Sequence, residues 1–105
     1  VAEIVYRFMD ARTLMNLIAG NWASFQGDFE PEERESDGLL AVDIPKVRFE
    51  PDRDSVRAKI ACRGGVVALD IEPLIEDEDF IREGGQVFVN ADVLVAEPVQ
   101  IELMP

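Results

Sequence analysis

The sequence has no histidine and a single cysteine, Cys62. Without imidazole, the chain lacks the usual general base near neutral pH and the commonest transition-metal ligand. Standard zinc sites, Cys–His pairs and Ser–His–Asp triads are excluded for the same reason. Cys62 has no internal disulfide partner. It falls in an apolar alternation and reads as a small buried hydrophobe rather than a reactive thiol. Lysine is scarce as well, with only Lys46 and Lys59 against eight arginines. No apolar run approaches the roughly eighteen residues of a membrane-spanning helix. The opening residues carry no basic-then-apolar secretory pattern. No G-x-S-x-G, Walker or G-x-G-x-x-G motif occurs. Ser24, Ser36 and Ser55 have the neighbours of helix-end and turn serines. Paired carboxylates alone can hydrolyse glycosides, but 105 residues leave little room for a substrate cleft. These absences argue against an autonomous enzyme. They nominate no catalytic, cofactor-binding or metal-ligating residue, and no cofactor.

Acid is abundant. Asp and Glu number 22 against 10 Lys and Arg, for a net charge of −12. That balance argues against nucleic acid, which is bound by clustered Lys and Arg. It argues equally against an anionic membrane surface. It suits a basic protein partner, a cation or a salty cytoplasm, and a cytoplasmic location is expected. An acid-rich, lysine-poor composition resembles that of proteins from high-salt cytoplasms. Six cations lie close in sequence: Lys46, Arg48, Arg53, Arg57, Lys59 and Arg63. Interleaved Asp43, Glu50, Asp52, Asp54, Asp70 and Glu72 make a solvated, paired surface a better reading than a binding patch. Two acidic runs stand out. One lies in Gln26–Gly38, with Asp28, Glu30, Glu32, Glu33, Glu35 and Asp37; the other is Glu76-Asp77-Glu78-Asp79. Such runs are usually solvated, and neither has EF-hand spacing. A weak divalent-cation site is the functional alternative.

Hydrophobic residues make up 48% of the chain, enough for one core and a single domain over 1–105. Gly64-Gly65 sits between apolar runs and predicts a hairpin over Ser55–Ile75. In that register Cys62 faces Val67, Ile60 faces Leu69 and Ala58 faces Ile71. Lys59 meets Asp70 and Arg57 meets Glu72 on the other face. Upstream, Leu39–Glu50 reads as a strand whose parity shifts at Pro45. Pro51-Asp52-Arg53-Asp54 reads as a turn pairing Phe49 with Val56, though it sets Arg48 against Arg57.

The N-terminal residues admit two readings. Ala2–Met9 is a strand and Asp10 caps a helix, or the whole segment is one helix. Both place a helix at about 11–24; its apolar stripe is Ala11, Leu14, Met15, Ile18, Trp22 and Phe25 in the first reading, and Ile4, Phe8, Ala11, Met15, Ile18, Trp22 and Phe25 in the second. That stripe suits core packing, or docking of a partner helix. Phe80–Glu83 reads as one helical turn stopped by Gly84. Valines on odd positions from Val87 to Val99 predict strands near 86–96 and 99–103, broken at Glu97-Pro98. Phe88 and Leu94 on the even side imply two-sided burial or an exposed apolar patch.

The expected fold is α+β. A mainly antiparallel sheet, built from a meander over 39–75 and C-terminal strands over 86–103, is packed by the helix at 11–24. The expected core is Val42, Ile44, Phe49, Val56, Ile60, Leu69, Ile71, Val89, Val93, Ile18 and Trp22. The function expected is a non-enzymatic binding or assembly module acting through protein contacts or homo-oligomerisation. An apolar-ligand site between helix and sheet, lined by Met15, Trp22 and Phe88, is the alternative.

Overall fold

The structure is a computed structural model that describes residues 2–25, 44–57 and 63–104. β1 (Ile4–Asp10) runs directly into α1 (Ala11–Ala19). β-branched and aromatic residues favour the extended state up to Phe8. Asp10 then makes the switch: its Oδ1 accepts the backbone N–H of Thr13 at 2.8 Å, the N-cap bond that starts a helix. Strand followed by helix is therefore the arrangement of the N-terminus. The helix is shorter than 11–24. It ends at Gly20, and a 3-10 turn over Trp22–Ser24 follows.

Then come β2 (Lys46–Phe49), α2 (Arg53–Arg57), β3 (Gly64–Asp70), β4 (Phe80–Glu83), β5 (Gln86–Asn90), α3 (Ala91–Ala96) and β6 (Gln100–Met104). The fold is α+β and its strand pairs are antiparallel. Among the described residues there are two three-stranded sheets, ordered β1-β3-β6 and β2-β5-β4. One antiparallel bridge joins them, with Tyr6 and Glu50 exchanging backbone bonds of 2.8 and 2.7 Å.

The expected 55–75 hairpin does not form. β3 is a central strand, with Val67 opposite both Arg7 of β1 and Ile101 of β6. Neither Gly64 nor Gly65 has a positive φ; they open β3 rather than turn it. Their value is the missing side chain. A Cβ on Gly64 would lie 2.1 Å from the Met9 carbonyl oxygen, and one on Gly65 would lie 2.8 Å from that of Glu102. Arg57 belongs to α2, and Asp70 pairs with Ile4 rather than Lys59. Ala58, Lys59, Ile60 and Cys62 lie outside the described residues, as do the loop over 26–38 and the start of the 39–50 strand.

The Pro51–Asp54 turn is replaced by the start of α2, where Asp52 Oδ1 accepts the Asp54 N–H at 2.9 Å. Phe49 pairs with Val87 instead of Val56. Among the described residues the tight hairpin is β4–β5. Its turn is Gly84-Gly85, with φ of 60° and 78°, the two positive values a type I′ turn requires. Phe80–Glu83 is thus a strand, not a helical turn. The break at Glu97-Pro98 is present, but 91–96 is helix. There Ala91 and Leu94 face inward at i, i+3, and the odd-numbered valines Val93 and Val95 pack against the edge of the core.

The core joins both sheets. Val5, Met9, Val67, Leu69 and Ile71 pack with Val47, Phe49, Val87 and Val89, closed by Leu14, Leu17 and Leu94. Val87, Phe88 and Val89 are all buried, so the two-sided burial expected of β5 is observed. Among the expected core residues, Phe49, Val56, Leu69, Ile71 and Val89 are buried, Ile44, Trp22 and Val93 are half-buried, and Val42 and Ile60 lie outside the described residues. Ile18 departs from the expectation and is 76% exposed.

Candidate functional site

At 100° per residue, α1 divides into three faces. Leu14 and Leu17 point into the core. Arg12, Thr13 and Asn16 form one flank. Ala11, Met15, Ile18 and Ala19 form the other, and all four are exposed. Met15 is 71% and Ile18 76% exposed. The expected stripe thus splits: its Leu14 part is core, and its Ala11–Met15–Ile18 part faces water.

Leu103 of β6 is also 74% exposed. It lies opposite Gly65, and residues directly opposite share a sheet face. A Cβ on Gly65 would sit 3.3 Å from Leu14 Cδ1, so this is the sheet face that carries α1. Three of the five large apolar side chains exposed among the described residues therefore belong to the α1 side of this sheet. Among the described residues β6 is also an edge strand in the sheet order. An unpaired edge presents backbone donors and acceptors to a neighbouring chain.

Two cations lie near the start of α1. Arg12 lies on α1 itself, and the Arg63 carbonyl oxygen accepts the Ala11 N–H at 3.2 Å. Both side chains are exposed, and neither forms an ion pair among the described residues. Asp10 is the acid at this corner. Hydrogen bonding from Thr13, side chain first and then backbone N–H, holds its carboxyl below the usual range, with a smaller contribution from Arg12.

The other flank of α1 borders an open groove of about 620 Å³. Met9, Phe25 and Val47 are its apolar residues of greatest burial; Arg7, Arg12, Thr13, Asn16 and Ser24 supply polar ones. Arg7 Nη1 donates to the Arg48 carbonyl at 3.0 Å. The three residues expected to line an apolar-ligand cavity take different places. Met15 is exposed, Trp22 packs on the core edge, and Phe88 is buried within β5.

The sequence cluster of cations is dispersed. Arg48 pairs with Glu50 at 3.8 Å and Arg53 pairs with Glu102 of β6, holding α2 over the opposite sheet face. The acidic run 76–79 forms a turn with internal roles. Asp79 Oδ2 accepts the Ile75 N–H at 2.8 Å, and Glu76 accepts from Arg82 Nε at 2.8 Å. Arg82 also grips Glu3 through two bonds of 2.5 and 2.6 Å. This hydrogen bonding lowers the Glu3 carboxyl below its usual range and holds Arg82 more firmly protonated. Ile75 is 60% exposed on the turn, and Asp77 and Glu78 are exposed beside it, with no ion pair among the described residues. No group of three or more acidic or cysteine side chains is placed to hold a metal ion among the described residues. No helix among them is long and apolar enough to cross a membrane.

No family model, curated protein or solved structure matches this chain. The α1 stripe is legible in the sequence, whereas Leu103 falls in the expected 99–103 strand with nothing to mark it. Its neighbourhood depends on the β3–β6 register, and no local pattern encodes that pairing.

Proposed function

We propose that this chain is a non-enzymatic binding and assembly module acting through protein contacts, with self-association its main form. The observation that carries the proposal is the exposure of Met15, Ile18 and Leu103, each above 70%, on one side of the molecule beside an edge strand. Apolar side chains scattered singly on a surface are ordinary. Apolar side chains gathered on one side are the usual mark of a contact surface. The flank of α1 that carries Met15 and Ile18 has no acidic residue, in a chain of net charge −12. A contact made here avoids most of the charge repulsion between two copies.

Size-exclusion chromatography with light scattering tests the proposal. The expected result is a mass that climbs above that of one chain as concentration rises, more readily at high salt, where the net repulsion is screened. A chain that stays at monomer mass at high concentration and high salt removes self-association.

A further inference from the structure

Beyond self-association, we infer that the groove on the polar flank of α1 binds a small amphipathic organic anion. Arg7 and Arg12 hold its acidic head, a carboxylate or a phosphate ester. Met9, Phe25 and Val47 take its apolar body. The groove, about 620 Å³ in volume, falls in the usual range for small-molecule sites, roughly 300–1,000 Å³. It lies on a different flank of α1 from Met15 and Ile18, so the inference does not depend on the contact proposed above.

Arg7 has an uncommon place in β1. Successive strand residues alternate between faces, so Val5, Arg7 and Met9 form one row. Val5 and Met9 are buried, and so is Val67, which lies opposite Arg7. A cation on such a row is costly unless hydrogen bonds and opposite charge surround it. The Arg48 carbonyl supplies one such bond, accepting from Arg7 Nη1 at 3.0 Å, and so anchors a guanidinium that borders the groove. A guanidinium carries five donors in a rigid fork that matches carboxylate and phosphate oxygens. An anchored Arg7 can therefore still hold an anion.

The charge of the groove runs against that of the chain. Asp and Glu outnumber Lys and Arg by 22 to 10, yet among the described residues the groove is lined by two arginines, Arg7 and Arg12, and one acid, Asp10. The Asp10 carboxylate is engaged by the Thr13 N–H at 2.8 Å. Elsewhere arginines sit on glutamates: Arg48 on Glu50, Arg53 on Glu102, and Arg82 on Glu3 and Glu76. Arg12 forms no ion pair among the described residues. Asn16, four residues on and so on the same side of the helix, brings an amide to the groove. Positive surplus beside buried Met9, Phe25 and Val47 suits a ligand with one anionic and one apolar end. A cationic ligand is opposed by both arginines, and a neutral apolar one makes no use of them.

Isothermal titration calorimetry with octanoate, octyl phosphate and octanol tests the inference. At least one of the anions should bind about tenfold or more tightly than octanol, the effect of a charge-assisted hydrogen bond. The tighter anion identifies the head group. Arg12 is exposed, and Arg12→Glu should weaken that anion by about tenfold or more. Circular dichroism melting checks the fold; should Arg12→Glu melt early, Arg12→Gln should still weaken binding. A Met15→Glu/Ile18→Glu chain, altered on the other flank, should bind as the wild type does. The inference is overturned if neither anion binds at millimolar concentration, if octanol binds as tightly as the anions, or if folded Arg12 variants keep wild-type affinity. It is overturned equally if the Met15/Ile18 variant loses binding, which would place the probe on the exposed apolar patch. Self-association is read from light-scattering mass, so the two proposals stand or fall separately.

Discussion

Asp10 ends a strand and starts a helix within one residue. Its backbone is extended, while its carboxylate accepts the Thr13 N–H. Replacing it with alanine should cost about 1 kcal/mol at neutral pH, the usual effect of losing an N-cap, seen as a lower melting temperature. The carboxyl titrates below its ordinary range in the folded chain, so its contribution is present above the unfolded pKa, about 3.9. It is lost as pH falls through the lower folded value. The melting gap between wild type and Asp10→Ala should therefore be constant from pH 7 to 5 and close below about pH 4. A gap that does not narrow at all as the pH falls below about 4 would assign the effect to something other than the carboxylate. Asp10 was legible in the sequence because a cap acts over three residues. The Arg82–Glu3 clamp was not, because it joins residues 79 positions apart.

At the scale of elements, two glycine pairs exchange the roles the sequence suggested. Gly84-Gly85 is the turn, and a hairpin turn with both φ positive accepts Asn at its first position. Gly84→Asn should leave the melting temperature near that of the wild type. Gly85→Val, with a β-branched side chain forced to φ of 78°, should cost about 1–2 kcal/mol. Gly64→Ala should cost more still, since its Cβ meets the Met9 backbone rather than a side chain that can rotate away. Comparable losses at Gly64 and Gly84 would contradict the assignment. The sequence alone could not separate the pairs. Both sit between apolar runs, and the distinction lies in which strands flank Gly64. The 91–96 segment misled for a related reason. Alternating valines satisfy a strand, but Ala91 and Leu94 also satisfy one turn of helix, and short apolar runs do not discriminate by period.

For the whole molecule, the governing quantity is a net charge of −12. Few described acids are neutralised by a close cation: Glu3 and Glu76 share Arg82, and Glu50 and Glu102 take Arg48 and Arg53. Self-repulsion opposes the folded state and is screened as the Debye length shrinks from about 30 Å at 0.01 M salt to about 3 Å at 1 M. The melting temperature at pH 7 should rise across that range. A fall would mean that the ion pairs, Arg82 with Glu3 above all, outweigh the net repulsion.

The sequence by itself determined the fold class, Asp10 as a candidate helix start, the break at Glu97-Pro98 and the buried face of β2; whether a strand or a helix precedes Asp10 it left open. It also singled out the α1 stripe, which proved to be divided between core and surface. Each of these is written in residues a few positions apart, where capping, parity and proline act. Only the tertiary structure decided the two sheets, the central place of β3, the Gly84-Gly85 hairpin, and the gathering of Met15, Ile18 and Leu103 on one side. These depend on which strands pair. Alternation between apolar and polar residues specifies which face of a strand is buried, but not which strand lies beside it.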